Sequence, residues 1–139
     1  MINTIDQVLY TAHTRTTGGR DGAGQSSDGA LDVRLSPPGA GKPGTNPEQL
    51  FGVGWSACFI GAIGIAAKKL QLALPPDLHV DAEIDLAKGG EAYFLRARLL
   101  VSLPGVAREA AEALVEMAHQ TCPYSKATRG NIDVVIELV

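Results

Sequence analysis

The sequence has few of the residues that would mark it for nucleic acid or for metal. Its 12 Lys and Arg are outnumbered by 15 Asp and Glu, which gives a formal net charge of -3. Without a basic excess to neutralise phosphates, a nucleic-acid partner is not expected. There are only two cysteines and three histidines. None of them has the CxxC or HxxxH spacing of a metal site, so we expect no bound metal and assign no role to His13, His79 or His119.

A secretory signal is also missing from the beginning of the chain. The segment MINTIDQVLYTAHTRTTGG lacks the basic stretch and the following apolar stretch that such a signal contains. We therefore expect a cytoplasmic location. In that reducing compartment, two cysteines are more often reactive, metal-binding or buried than joined in a permanent disulfide.

The expected fold is a single α+β domain over residues 1–139. Thr, Val and Tyr in residues 8–16 and the alternating ALDVRL predict N-terminal strands around a glycine-rich turn. Pro47 suits the first position of a long helix that ends near Leu70 to Leu74, before two prolines. The remaining predicted elements are a hairpin in LHVDAEIDLAK and YFLRARLLVSL, an amphipathic helix up to about His119, a short helix in CPYSKATRG and a final strand in NIDVVIELV.

The central helix carries the longest apolar run, residues 50–67. Its length is borderline for a membrane span, but its small residues weaken the hydropathy, so we interpret it as a buried helix and expect no membrane association. Four glycines in the run each cost up to about 1 kcal/mol relative to alanine. Glycine allows another backbone to approach closely, and a helix that is apolar on all sides must be covered. We therefore expect a homodimer in which two central helices pack together.

Cys58 lies in the middle of this run, where a free cysteine is commonly a small buried hydrophobe. Apolar surroundings raise the pKa of a thiol, so a reactive Cys58 needs a cation from elsewhere. Arg20 could supply it, because the glycines of GGRDG allow the backbone to turn a long side chain inward. The carboxylate of Glu48 could hold the guanidinium in a bidentate pair. An exposed turn arginine and an acid stabilised by the helix dipole are the simpler explanations of the same residues.

The second cysteine, in TCPYS, has a different setting. Cys122 followed by Pro123 resembles a helix N-cap followed by the first helical residue, where the helix dipole lowers the pKa of a thiol. We therefore expect Cys58 to be buried and Cys122 to be placed for reaction. Their separation along the chain does not decide whether they meet.

Three separated segments carry a resemblance to a known family. GTNPEQLFGVGWSACFIGA around Cys58, TCPYSKATRGNIDV around Cys122 and the N-terminal TGGRDG resemble the organic hydroperoxide resistance proteins, the Ohr branch of the Ohr/OsmC superfamily. The resemblance spans essentially the whole chain, with the motifs in the right order. The departures are minor, such as Gly52 and Val53 where alanines are more usual, and they do not involve the reacting groups.

The resemblance implies a thiol peroxidase without haem, flavin or metal that reduces organic hydroperoxides to alcohols. Cys58 matches the peroxidatic cysteine and Cys122 the resolving cysteine, which would form an intramolecular disulfide with it. Arg20 and Glu48 match the pair that activates the first thiol. The family fold is OsmC-like and forms intertwined homodimers with two active sites at the subunit interface. Family members draw electrons from lipoylated proteins, which are dithiol reductants.

The resemblance also implies an apolar substrate site. We expect Phe51, Trp55 and Phe59 to line it and to favour organic hydroperoxides over hydrogen peroxide, since burying an alkyl chain contributes about 0.8 kcal/mol per methylene. Glu48 poses a geometric problem. Ten residues separate it from Cys58, about 15 Å of rise and about 280° of rotation on a straight helix. Either the helix breaks near Gly52 and Gly54, or Glu48 serves the partner subunit's site, which we favour.

Three other functions stay open. An OsmC-branch peroxidase would have the same chemistry with a broader substrate range. A small-molecule or lipid-binding protein would use its cysteines only structurally. A thiol-based redox sensor would signal rather than detoxify, although the sequence has no DNA-binding motif to support that role.

Overall fold

The computed structural model describes residues 2–139 and divides the chain into two compact units. The first unit ends at Pro47, and the second runs from Glu48 to Val139. The expectation of a single domain over residues 1–139 stays a prediction.

The first unit is a small antiparallel sheet in the order β1-β2-β3. Its strands are β1 (Thr14–Thr17), β2 (Ala23–Ser26) and β3 (Asp32–Arg34). A 3-10 turn, Gly19–Asp21, joins β1 to β2 and carries Arg20. Glycine is required on both sides of this turn: Gly18 has φ 73°, and a Cβ on Gly22 would lie 1.8 Å from the carbonyl oxygen of Thr17.

The first strand is shorter than the sequence predicts. We predicted strand structure over residues 8–16, but β1 begins only at Thr14, and the described residues before it form no strand. The side chains of Val8, Leu9 and Tyr10 are exposed, by 69%, 87% and 79%. Thr, Val and Tyr favour a strand only where a neighbouring strand offers hydrogen bonds and packing, and this segment has no such neighbour in the described chain.

The second unit contains three helices and a second sheet. The helices are α1 (Pro47–Leu70), α2 (Arg108–Thr121) and α3 (Pro123–Thr128), and the strands are β4 (His79–Gly89), β5 (Ala92–Ser102) and β6 (Asp133–Leu138). The strand order is β4-β5-β6, with an antiparallel hairpin between β4 and β5 and a parallel pairing of β5 with β6. The predicted α+β order of strands, helix, hairpin, helices and strand is confirmed.

Alternation along the strands gives this sheet one apolar and one charged face. On the charged face, Arg96 pairs with Asp85 at 2.7 Å and Arg98 with Glu83 at 2.8 Å, directly across the hairpin. These pairs are exposed, as expected for solvated arginines, and contribute little stability. The apolar face builds the core with α1 and α2, and its buried members on β5 are Ala97, Leu99 and Val101.

Helix α1 is continuous from Pro47 to Leu70, so the predicted alternative of a break near Gly52 and Gly54 is wrong. By length and by a mean hydropathy of 1.9 it could cross a membrane, but a core helix passes the same test. One side of the helix is exposed, and we call it the open face of α1. Its exposed residues are spaced four apart: Val53, Ala57, Gly61 and Ile65.

Three of the four glycines of α1 differ in what surrounds them. A Cβ on Gly52 would lie 3.4 Å from Ile84, so this glycine lets the helix approach β4 closely. Gly61 and Gly64 have no atom within 4 Å of an added Cβ in the described chain. Close approach therefore explains the first glycine, while packing within the chain does not explain the other two.

Candidate active site

The two cysteines meet in the second unit. Cys58 lies on α1 and Cys122 at the junction of α2 and α3, with 3.5 Å between the two Sγ atoms. Both are free thiols. A disulfide has an S–S distance of about 2.04 Å, so an approach of about 1.5 Å would join them. The chain thus holds two reduced sulfurs in contact, without a bond between them.

Backbone hydrogen bonds fix the position of Cys122. Its N–H donates to the carbonyl of Ala118 at 2.8 Å, at the C-terminal end of α2. Its own carbonyl accepts from the N–H of Lys126 at 3.0 Å, which is the first hydrogen bond of α3. Cys122 is extended, with φ -60° and ψ 123°, and Pro123 is the first residue of α3. The predicted placement of Cys122 as the N-cap of a short helix is confirmed.

The burial of the two cysteines is the reverse of the prediction. Cys122 has no exposed surface, whereas Cys58 is only partly buried. Trp55 and Phe59 point into the core, and Ala57 lies on the open face of α1, so Cys58 falls at the boundary between the two sides. The sequence prediction failed because the apolar run is not covered on every side within the chain. Cys58 is consequently the more accessible of the two sulfurs.

The surroundings of Cys58 oppose its ionisation. Burial raises the pKa of the Cys58 thiol, and the hydrogen bond with Cys122 raises it further. The backbone N–H of Tyr124 acts in the opposite direction and lowers this pKa. Because the thiolate is the nucleophilic form, rapid reaction at neutral pH requires a positive charge close to the sulfur.

Aromatic side chains belong to the same core cluster as the two cysteines. Phe51 makes edge contacts with Trp55 at 5.5 Å and with Tyr124 at 6.1 Å between ring centroids. Phe51 is partly exposed, whereas Trp55 and Phe59 have no exposed surface and pack in the core. The predicted lining of a substrate site by Phe51, Trp55 and Phe59 stays a prediction, and of these three only Phe51 has exposed surface.

Two residues near the pair were missed from the sequence. Tyr124 is 42% exposed, and a Cβ on Gly54 would lie 3.4 Å from its hydroxyl oxygen, so that glycine makes room for the phenol. Ser125 is fully buried and accepts a hydrogen bond from the indole Nε1–H of Trp55 at 3.3 Å. The pattern CPYS contains the clue, since the first turn of a helix that begins at Pro123 keeps both residues close to Cys122.

The other two predicted catalytic residues lie in different parts of the chain. Arg20 is exposed on the 3-10 turn of the first unit. Glu48 is partly buried in the first turn of α1, on the same unbroken helix as Cys58. About 15 Å of helical rise therefore separates Glu48 from Cys58, which is more than a glutamate side chain spans. Among residues 2–139, no group of three or more His, Cys, Asp or Glu side chains is arranged to hold a metal ion.

The chain is therefore an α+β protein in which a thiol on the long helix α1 faces a second thiol at the start of the short helix α3. The model of the OsmC-like protein family matches residues 39–137, and the chain belongs to that family.

Within the family, the chain is similar to organic hydroperoxide resistance proteins. It is 47% identical to the one from Xanthomonas axonopodis pv. citri, over 96% of each chain. It is 43% identical to OhrB of Bacillus subtilis, over 94% of this chain and 98% of that one. These identities confirm the resemblance stated from the motifs.

Solved structures agree with this assignment. The crystal structure of OhrB from Bacillus subtilis has a TM-score of 0.85 at 40% identity and covers 95% of this chain and all of that one. An organic hydroperoxide resistance protein from Legionella pneumophila has a TM-score of 0.87 at 38% identity, over 95% of this chain and 98% of that one. The predicted OsmC-like fold is confirmed.

Proposed function

We propose that this protein is a cysteine-based peroxidase that reduces organic hydroperoxides to alcohols. The observation that carries the proposal is the 3.5 Å contact between a partly exposed Cys58 and a buried Cys122. The Cys58 sulfur is accessible to a substrate, and the Cys122 sulfur lies close enough to react with the sulfenic acid that forms on Cys58. The similarity to organic hydroperoxide resistance proteins supports the same reaction.

In the proposed reaction, the Cys58 thiolate attacks the outer oxygen of the hydroperoxide. The O–O bond breaks, the alkoxide leaves as an alcohol after taking up a proton, and Cys58 becomes a sulfenic acid. Cys122 then attacks the sulfenic sulfur, which forms the disulfide and releases water. A dithiol reductant restores both thiols by exchange. We propose that lipoylated proteins serve as this reductant and that the reaction takes place in the cytoplasm, without a metal or other cofactor.

Arg20 is the proposed source of the positive charge. Because burial raises the pKa of Cys58, a guanidinium close to its sulfur would stabilise the thiolate and could also donate a hydrogen bond to the hydroperoxide. Glu48 would hold that guanidinium in a fixed plane through a bidentate pair. Arg20 and Glu48 each already make an interaction within the described chain.

We further propose an intertwined homodimer in which Glu48 serves the site of the partner subunit. The open face of α1 supports this proposal, because Val53 and Ile65 are 72% and 51% exposed there and a helix side of this kind is normally covered. Gly61 and Gly64 leave space on the same side for another backbone. A second copy of α1 would fill that space.

The experiment that tests the function is an intact-mass measurement after treatment with tert-butyl hydroperoxide. One equivalent should lower the mass of the reduced chain by two hydrogen atoms, since one sulfenic acid condenses with one thiol. An unchanged mass would favour a binding protein with structural cysteines. A disulfide that links two chains as the main product would contradict the proposed intramolecular pair. Faster turnover with hydrogen peroxide than with cumene hydroperoxide would favour the alternative of an OsmC-branch peroxidase with a broader substrate range.

Arg20→Ala tests the proposed charge. Without the guanidinium, the pKa of Cys58 should rise further, so the oxidation rate at neutral pH should fall while part of it returns as the pH is raised. The direction follows because the thiolate fraction grows as pH approaches the thiol pKa from below. Stopped-flow measurement of thiol loss from pH 6 to 10 checks both effects.

Arg20→Lys is the matched control for the geometry of the charge. Lysine keeps the positive charge but cannot offer a bidentate fork to Glu48, so it should rescue the rate poorly. Identical pH profiles for Arg20→Ala and the parent protein would remove Arg20 from the mechanism.

A further inference from the structure

One buried hydrogen bond joins α1, which carries Cys58, to α3, which begins directly after Cys122. The indole Nε1–H of Trp55 donates to the hydroxyl oxygen of Ser125 at 3.3 Å, and neither side chain has exposed surface. An indole N–H that is buried without an acceptor is costly, so this contact fixes how the tryptophan is seated. It joins residues that are far apart in sequence, on α1 and on α3.

Each end of this hydrogen bond lies three residues from a cysteine. Trp55 precedes Cys58 on α1 by less than one helical turn, and Ser125 follows Cys122 within the first turn of α3. Helix α3 is short, with only six residues from Pro123 to Thr128, so its own hydrogen bonds hold it weakly. The hydrogen bond from α1 to Ser125 therefore helps to fix the position of Cys122 relative to α1.

The distance between the sulfurs makes this position important. The Sγ atoms must approach by about 1.5 Å to reach bonding distance. While Cys58 is a sulfenic acid, a second hydroperoxide molecule competes with Cys122 for it. If the hydroperoxide reacts first, Cys58 is converted irreversibly to sulfinic acid. A displacement of about 1 Å can slow a reaction between positioned groups by about a hundredfold.

We propose that the Trp55–Ser125 hydrogen bond is a positioning contact for disulfide formation. It holds α3 against α1 so that Cys122 attacks the sulfenic sulfur of Cys58 before a second peroxide does. In that step the S–S bond forms, the S–O bond breaks, and the departing hydroxide takes the proton of the Cys122 thiol and leaves as water. The inference rests on the proposed peroxidase function and adds a role for two residues whose own bonds do not change in the reaction.

The test measures how oxidised Cys58 divides between disulfide and sulfinic acid. Ser125→Ala removes the acceptor, and Trp55→Phe removes the donor while keeping an aromatic ring. Each should slow condensation about fivefold, the factor that corresponds to losing the net stabilisation of one hydrogen bond in the transition state for condensation. The sulfinic fraction at a fixed excess of tert-butyl hydroperoxide should rise to match, as seen by intact mass. The first oxidation of Cys58 in Ser125→Ala should stay within about twofold of the parent, because the Ser125 hydroxyl bonds to Trp55, while the backbone N–H that interacts with the Cys58 sulfur belongs to Tyr124.

Thr128→Val is the matched control. Its hydroxyl is also buried in α3 but donates only within that helix, to the carbonyls of Tyr124 and Ser125 at 2.9 and 3.2 Å. It should lower the thermal midpoint as Ser125→Ala does while leaving the sulfinic fraction near the parent value. If Trp55→Phe does not fold, Ser125→Ala alone decides the question, because it deletes a single buried oxygen atom.

The possible outcomes separate this inference from the function itself. A sulfinic fraction in Ser125→Ala equal to that of the parent, or a rise of the same size in Thr128→Val, would overturn the positioning role. Both results leave the peroxidase intact, since the parent protein still forms its disulfide. Failure of the parent to form any disulfide would overturn the proposed function and this inference together.

Discussion

Replacing Cys58 with serine should abolish peroxide consumption, whereas Cys122→Ser should complete one turnover and then lose activity. The difference follows from accessibility: Cys58 is partly exposed and can meet the substrate, whereas Cys122 is fully buried and serves only after Cys58 has been oxidised. Without Cys122 the sulfenic acid persists, and a second equivalent of hydroperoxide converts it to sulfinic acid. Intact mass should therefore show a gain of two oxygen atoms on Cys122→Ser and no change on Cys58→Ser.

A control for folding is needed because Cys122 has no exposed surface. Serine at that position buries a hydroxyl, so Cys122→Ala should be measured in parallel, with thermal midpoints for all three variants. If the variants at Cys122 and Cys58 lose the first turnover equally, the two cysteines do not have the separate roles proposed here.

Mixing inactive Glu48→Ala and Cys58→Ser subunits should restore activity. Helix α1 is unbroken between the two positions, and about 15 Å of rise keeps the Glu48 side chain from reaching the Cys58 sulfur of its own chain. If Glu48 belongs to the partner's site, a mixed dimer has one site with both defects and one intact site. Random exchange of equal amounts makes half of the dimers mixed, and activity should return to about a quarter of the parent value.

A matched control for this experiment is a mixture of Cys58→Ser and Cys122→Ser. These two sulfurs face each other within a single chain, so every site in their mixed dimer keeps one defect and no activity should return. Native mass spectrometry verifies that subunits have exchanged in both mixtures. Activity in the Glu48→Ala mixture no higher than in this control would place Glu48 outside the partner's site.

Patterns that repeat along a single element were predicted well from the sequence. Strand β4 follows from the alternation of apolar and polar residues in LHVDAEIDLAK, and Pro47 marks the first residue of α1. Pro123 after Cys122 similarly marks the start of α3. In each case the information lies within a few neighbouring residues, because local geometry decides the structure.

The predictions that were wrong concern features that depend on contacts between distant parts of the chain. Cys58 was expected to be the buried cysteine because its neighbours in sequence are apolar, but burial depends on which side of α1 the rest of the protein covers. The strand expected over residues 8–16 begins only at Thr14, since strand propensity does not supply a neighbouring strand. The Trp55–Ser125 contact joins α1 to α3, and nothing in either local segment predicts that partner.

The complete burial of Cys122 bears on how an oxidised molecule would be regenerated. Thiol–disulfide exchange requires the incoming thiolate to approach one of the two sulfurs, and only the Cys58 side is open to solvent. The reductant would therefore become linked to Cys58, and Cys122 would be the leaving group. One face of the molecule then receives the peroxide and the dithiol in turn, so the two substrates exclude each other and turnover alternates between them.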